Sequence, residues 1–537
     1  MKLKKVTALI ICAIICFSAA ACSTSATPDN TVSNNGNSGV TSANSADKES
    51  DKKEKSKSSK TLSLYFSYSD SLDPYKAESA GNRGICSLLF DSLVKLDNDL
   101  NPQNLIASDI SIDGKEVAVS INSYKFSDGS YITTDDVIYS IERCKKAKVG
   151  DYVNQLENIK SYSASGGKIY ITLKRYDKNA ACLLDFPILK KGTADKTNDD
   201  GKAVPPVGSG RYVFVDNKGE YSLKANENYF KDKPVNTISL KNIPDYDALE
   251  YLIRSSSIDV YYSGFDAMEM PELKGASKSV NLTNLVYIGI NQKSGTLNDK
   301  NIRKALSLSA DRTDISEKCY YSNSKPALSL YNEGNNIIKD EKNIFNLEDN
   351  VPSALEYLKK SGFSKLDNQG YYQNESGEFV ELSLLYNKEN NIQSMVASNL
   401  VKHFKACGIK INLNGLSVND YKTAIKKGDY QLYVAEVRLT KSFDYSNLLS
   451  YPKNIAYNYK QKDKKKLEGY VDFSDIYENY MKGEISVKEM LDNFSSETPF
   501  IPLVFRLGTV SYSENFSKEL ISSISDPYYN IEKIYLK

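Results

Sequence analysis

Tyr124-Lys125-Phe126-Ser127-Asp128-Gly129 and, three residues further on, Thr133-Thr134-Asp135-Asp136-Val137-Ile138-Tyr139-Ser140 carry the reading that decides the fold class. The first stretch reads as a strand closed by a tight turn, with Gly129 supplying a positive φ. The second reads as a helix start. Thr133 caps it, Asp136 three residues on completes a capping box, and Val137, Ile138 and Ile141 form the apolar side. Strand gives way to helix within a few residues. Outward from there the alternation continues. Val117-Ala118-Val119-Ser120-Ile121 and Ile169-Tyr170-Ile171-Thr172-Leu173 have the two-residue period of strands, and Ile85, Leu88, Leu89 and Leu93 have helical spacing. Further helices are expected over Asn301–Leu308, over Ser353–Lys360 closed by Gly362, and over Asn391–Cys407 closed by Gly408. The last steps directly into the strand Ile409-Lys410-Ile411-Asn412-Leu413. Without a repeat of 20–50 residues, this is a mixed α/β chain and not a repeat array.

The 537 residues carry a formal net charge of +1 and are 11% aromatic. Near-neutrality argues against nucleic acid as a partner. The aromatic content suffices for several cores, and the length predicts more than one domain. Tyr numbers 39 and Trp is absent, which follows from an A/T-rich genome as readily as from a pocket of mixed polarity. Cys86, Cys144, Cys182, Cys319 and Cys407 are an odd, widely spaced set without a CxxC pair. They suggest neither a disulfide framework nor a zinc site, although the spacing leaves one disulfide open. The single histidine, His403, excludes a multi-His metal site and HExxH chemistry. It lies on a helical run and reads as structural. GxSxG and Walker A motifs are also missing, so catalysis lacks a signature. The expectation is a binding protein with no cofactor and no metal, and not an enzyme.

The N-terminus adds an address. Lys2, Lys4 and Lys5 precede an apolar run from Val6 to Phe17 and then Ala19-Ala20-Ala21-Cys22. The run is too short to cross a bilayer and reads as a secretory signal over 1–21. Small residues before a cysteine resemble a bacterial lipobox, which implies lipidation of Cys22. Residues 22–60 are Ser, Thr, Asn, Asp and Lys with almost no large apolar side chain, a composition expected to remain a solvated tether. The expected location is extracytoplasmic, lipid-anchored to the cell membrane, on a Gram-positive-type surface.

Several segments in order resemble the extracellular solute-binding proteins of family 5, the type that delivers peptides or nickel to ABC importers. They are Leu72-Asp73-Pro74-Tyr75-Lys76, Leu89-Phe90-Asp91-Ser92-Leu93-Val94, the Tyr124–Gly129 and Thr133–Ser140 pair, Val207-Gly208-Ser209-Gly210-Arg211-Tyr212 and Asn226-Glu227-Asn228-Tyr229. Tyr287-Ile288-Gly289-Ile290-Asn291, Asn301-Ile302-Arg303-Lys304-Ala305-Leu306, Ala310-Asp311-Arg312 and Thr498-Pro499-Phe500-Ile501-Pro502-Leu503 complete the series. The glycine-bearing segments are expected to be structural, Gly208 and Gly210 letting the backbone turn sharply.

The resemblance implies an α/β, two-lobe, periplasmic-binding-protein-like fold of the class with an extra domain. Lobe 1 would comprise 61–97, 205–284 and 505–537, with a domain inserted over 98–204, and lobe 2 would comprise 285–504. A monomer would capture a peptide-like or other small solute between the lobes and deliver it to an ABC importer permease. A lipoprotein sensing a peptide pheromone, or an extracytoplasmic hydrolase, are the alternatives.

Cleft candidates follow from the same resemblance. Glu78 stands where oligopeptide binders place an acidic residue beside the ligand. Asn291 sits at the lobe crossover, to bond a ligand or to pin the hinge. After Gly428-Asp429-Tyr430, peptide binders carry Gly-Trp-x-x-Asp-Tyr, whose Asp holds the peptide amine. Here that place falls on Leu439 counting from Gly428, or on Lys441 counting back from Asp444. Neither is acidic, and Glu436 replaces the tryptophan. Glu436 and Arg438, on alternate residues of one strand, share a face and offer a charged pair for a ligand, or for each other.

Overall fold

The computed structural model describes residues 61–199, 201–264, 273–341, 350–449 and 473–537. The expected signal, the tether and Cys22 lie outside them. The described chain begins with the strand Leu62–Phe66, whose Leu62, Leu64 and Phe66 are buried. This strand pairs in parallel with Ile238–Asn242, and Glu220–Ala225 and Tyr212–Asn217 extend the sheet antiparallel. A second four-stranded sheet, antiparallel throughout, orders Ala107–Asp113, Glu116–Ile121, Lys168–Leu173 and Ile159–Ser165. Val117, Val119, Ile169 and Ile171 on its strands share a core with Val137, Ile141 and Cys144 of the helix Thr134–Lys146. That helix starts with both halves of the expected capping box, Thr133 receiving the Asp136 N–H and Asp136 receiving the Thr133 N–H.

The largest sheet is built on two long neighbouring strands. Its order is Val260–Gly264, Phe500–Ser513, Gly275–Ile290, Leu432–Arg438, Glu381–Asn387 and Lys410–Leu416, with Ser324–Pro326 pairing off the path. Gly275–Ile290 and Phe500–Ser513 are 16 and 14 residues long, with register shifts at Asn281/Leu285 and Val286/Tyr287. The first of these strands serves two cores by alternation. Leu285 and Tyr287 enter the larger core, while Val286, Ile288 and Ile290 enter a second core on the opposite face, against Ile302, Leu306, Leu400 and Phe404.

The helices expected from periodicity are present as Lys300–Ser309, Asn350–Lys360 and Asn391–Ala406, the last followed by the strand Lys410–Leu416. The helix Ala80–Leu89 stops at its extended C-cap Phe90, so Leu93 falls outside it. The strand expected over Tyr124–Gly129 is reduced to one bridge, Lys125 to Tyr131, although the turn is there with Gly129 at φ +86°. The backbone bonds of this stretch go to other loops instead of a ladder. The Ser127 N–H donates to the Gly208 carbonyl (2.9 Å) and Asn228 Nδ2 to the Ser127 carbonyl (3.1 Å).

Three of the segments that carried the resemblance therefore hold one another. Gly208 and Gly210 serve close approach and not a left-handed turn: a Cβ there would stand 2.2 Å from the Leu89 carbonyl oxygen and 2.3 Å from that of Leu88. Arg303 and Arg312 are buried and bond backbone carbonyls, Arg303 those of Asn298 and Glu497, Arg312 those of Ser307 and Pro502. They fasten the helix Lys300–Ser309 to the crossing strand. Cys86, Cys144, Cys182, Cys319 and Cys407 are buried free thiols. His403 Nε2 faces Asp314 Oδ2 at 3.1 Å. Among the described residues no helix is long and apolar enough to cross a membrane.

Candidate binding cleft

The strand Leu432–Arg438 runs antiparallel to Gly275–Ile290, with Asn284 opposite Arg438 and Val286 opposite Glu436. Its exit loop is pinned. The Leu439 N–H donates to the Thr283 carbonyl, and Thr283 Oγ1 donates to the Leu439 carbonyl at 2.8 Å. Tyr477 Oη receives the Tyr445 N–H and donates to the Phe443 carbonyl. The loop is thereby held to the long strand and to the helix Phe473–Lys482, and the segments 150–157 and 175–185 face it.

Three ion pairs join the 151–185 region to the 438–444 loop. Arg438 Nη2 lies 2.8 Å from Asp151 Oδ1, and its Nη1 donates to the Gly150 carbonyl at 3.1 Å. Lys441 Nζ lies 2.7 Å from Asp185 Oδ2, donates to the Asp185 carbonyl at 3.2 Å, and sits 5.0 Å from the centre of the Tyr152 ring. Arg175 Nη2 lies 2.7 Å from Asp444 Oδ2. Two further bonds join them, Asn179 Nδ2 donating to the Ser442 carbonyl and Asn447 Nδ2 to the Glu157 carboxylate. Cations come from both sides, so neither wall is of one sign. Burial by itself would raise the Asp151 carboxyl, but Arg83, Arg438 and Lys441 hold it below its ordinary value.

Between the walls lies a void of about 370 Å³, bounded by Asp151, Tyr152, Glu157, Arg438, Lys441 and Asp444. A second space of about 30 Å³ adjoins it through Asp151 and Tyr152 and is bounded by Arg83, Lys95 and Asp185. It is about large enough for one water. Grooves of about 600 and 740 Å³ lie elsewhere, against residues such as Tyr229 and Tyr529 in one and Tyr68 and Phe214 in the other. The void of about 370 Å³ is the candidate site because two distant parts of the chain, 151–157 and 437–448, contribute charged side chains to its walls.

The expected site residues divide. Arg438, Lys441 and Asp444 line the void. Glu436 is one strand position too early: its Oε1 accepts from Asn284 Nδ2 at 2.7 Å and faces Arg506 Nη1 at 3.5 Å, within its own sheet. Asn291 gives its amide to the carbonyls of Gly428 (3.2 Å) and Tyr430 (2.8 Å) and accepts the Lys293 N–H, binding one strand end to the next. Glu78 is exposed. Its N–H meets the Asp70 carboxylate and its carbonyl accepts from Arg83 Nη1, at the corner beside Asp151. Asp151, Tyr152, Arg175 and Asp185 carry no signature in the sequence; the last three sit among ordinary polar and apolar neighbours, 256 or more residues from their partners.

A family model of the bacterial extracellular solute-binding proteins, family 5 (middle region), matches residues 101–458. The chain belongs to this family. Among curated relatives, the family-5 chain is 27% identical to the oligopeptide-binding protein AppA of Bacillus subtilis over 350 residues, covering 60% of this chain and 63% of AppA. It is 26% identical to the nickel-binding protein NikA of Staphylococcus aureus over 252 residues, 45% of this chain and 49% of NikA. Among solved structures, B. subtilis AppA in complex with a nonapeptide matches with a TM-score of 0.52 at 20% identity, over 89% of this chain and 98% of that one. An ABC transporter substrate-binding protein from Sinorhizobium meliloti matches with a TM-score of 0.67 at 19% identity, over 89% of this chain and all of that one. These likenesses establish the two-lobe α/β fold of this family-5 protein.

Proposed function

We propose that this protein is the substrate-binding component of an ABC importer, taking a small peptide-like solute into the void between its lobes and passing it to the membrane permease. The observation that carries this reading is the convergence of Arg438, Lys441 and Asp444 of one lobe with Asp151, Tyr152 and Glu157 of the other around about 370 Å³, with Asp185 and Arg175 paired to these walls from behind. That volume is at the lower end of the roughly 300–1,000 Å³ typical of small-ligand sites, which favours a short solute. Walls of both signs suit a ligand that itself carries both charges. Such a ligand replaces cross-lobe ion pairs instead of meeting bare charges, since an unpaired buried charge is costly.

In this reading lobe 1 comprises 61–97, 205–284 and 505–537 with 98–204 inserted, and lobe 2 comprises 285–504. The irregular register of the crossing strands at 281–287 supports a hinge there. The protein acts as a monomer and binds without chemistry. A lipid on Cys22 and a tether over 22–60 hold it at the extracytoplasmic membrane surface, a reading supported by the basic head, apolar run and Ala-Ala-Ala-Cys sequence.

Native mass spectrometry of protein purified without denaturation should reveal a bound solute at one copy per chain. Small-angle scattering should show the body more compact with that solute than after its removal. Turnover of the solute, or scattering that is the same in both states, would overturn the reading.

A further inference from the structure

The lobe boundary buries a carboxyl with no cation of its own. Asp177 lies in the loop that leaves the strand Lys168–Leu173, and it is 0% exposed. Its Oδ1 receives the Asn179 N–H at 3.0 Å. Its Oδ2 has no donor in bonding geometry, although the Ser442 hydroxyl is nearby. Across the boundary stands Asp444, 8% exposed, whose two oxygens are already used by Arg175 Nη2 and by the Ser446 N–H at 2.8 Å. One guanidinium, on the loop of Asp177 itself, thus serves two carboxyls that closure brings together.

The other groups around Asp177 do not supply the missing charge. From the helix Phe473–Lys482, Tyr477 and Tyr480 face the pair as phenols that burial keeps protonated. Cys182, on the adjoining short turn, is a thiol that burial pushes up to about 12. Lys178 lies over the Tyr480 ring at 4.2 Å, and burial lowers its pKa. Glu157 adds a further negative group beside Arg175. Lys441 is engaged with Asp185.

We propose that Asp177 is a proton-operated latch: closure of the lobes sets it against Asp444 and takes up one proton, so mild acid favours capture and rising pH favours release. This regulation rests on the two-lobe binding reading given above. Burial first, and Asp444 second, push the Asp177 carboxyl up to about 7, against the opposing pull of Ser442, Asn179 and Arg175. With the lobes apart, Asp177 loses the cover of the 442–444 loop and titrates near the ordinary value of about 3.9. The sign follows from linkage. The closed state has the higher pKa, so its advantage is full below about pH 4 and is lost as pH rises through about 7. Between pH 5 and 7 the ratio of closed to open protein falls by up to about fiftyfold, and above pH 8 it no longer changes from this source.

The test uses the full-length protein without its solute, so the identity of the solute plays no part. Small-angle scattering and hydrogen exchange over residues 439–445 are followed from pH 5 to pH 8.5. The wild type should become larger and exchange faster as pH rises. Asp177→Asn, a neutral stand-in for the protonated acid, should stay compact and protected throughout. Asp444→Asn, which removes the repulsion from the other side but not the burial, should move the profile to lower pH without abolishing it, and a melting curve checks that both variants are folded. A wild type indifferent to pH that still compacts on adding its solute would overturn the latch and leave the binding function standing. A pH response that persists in Asp177→Asn would assign the proton to another group. A body that compacts under neither condition would remove the two-lobe binding reading itself.

Discussion

Lys441 and Arg438 stand three residues apart and both pair with an acid across the cleft, yet they should not count equally. The side chains of Lys441 and Asp185 are 7% and 4% exposed, whereas those of Arg438 and Asp151 are 31% and 28%. Solvent screens the second pair and leaves it worth roughly 0.2–1 kcal/mol, while stranding a carboxylate in the first costs roughly 3–5 kcal/mol. Lys441→Ala should therefore weaken capture of the co-purified solute by about a hundredfold or more, and Arg438→Ala by about fivefold or less. Lys441→Met combined with Asp185→Asn should recover much of the loss, because no charge is then left alone. Calorimetry decides it, and equal losses in the two single variants would contradict this ranking. Lys441, Arg438 and Asp444 were legible because they lie beside a segment whose departure from the peptide-binding pattern is local. Their partners were not. Asp151 and Asp185 differ from the chain's other acidic residues only in where folding puts them.

At the scale of elements, periodicity located the helices because each buries one face against a sheet. It overstated the strand at Tyr124–Gly129, where a buried Phe126 and a sharp turn are held by loops instead of by a ladder. The glycines of Val207–Gly210 hold the same junction, and their role is testable. Gly210→Ala places a Cβ against fixed backbone atoms of Leu88 and Leu89 and should destabilise by roughly 1–3 kcal/mol or more. Gly219 has φ +92° and nothing near it, so Gly219→Ala should cost only the left-handed strain of roughly 1–2 kcal/mol. Urea unfolding of both variants measures the difference, and a Gly210→Ala protein as stable as wild type would refute the close-contact account. Glu436 shows the same limit of local reading. Alternation correctly put it on the face of Arg438, but Asn284 and Arg506, brought alongside by strand pairing, took its carboxylate.

At the scale of the whole molecule, the proposed lipid anchor rests on the local sequence around Cys22. Cys22→Ala should move the protein from the membrane fraction of its producing cells into the medium. Wild-type protein with an unmodified Cys22 by intact mass would contradict the anchor. The order of elements and the family were determined by the sequence itself, since hydrophobic period, caps and motif order are local properties that survive without knowledge of contacts. Only the tertiary structure decided the cleft. Its three ion pairs, its void and the buried carboxyls of Asp177 and Asp444 depend on which side chains two lobes bring within a few ångströms of each other. At such distances, and away from water, electrostatic energies are large, but the residues that meet are more than 250 positions apart in the chain.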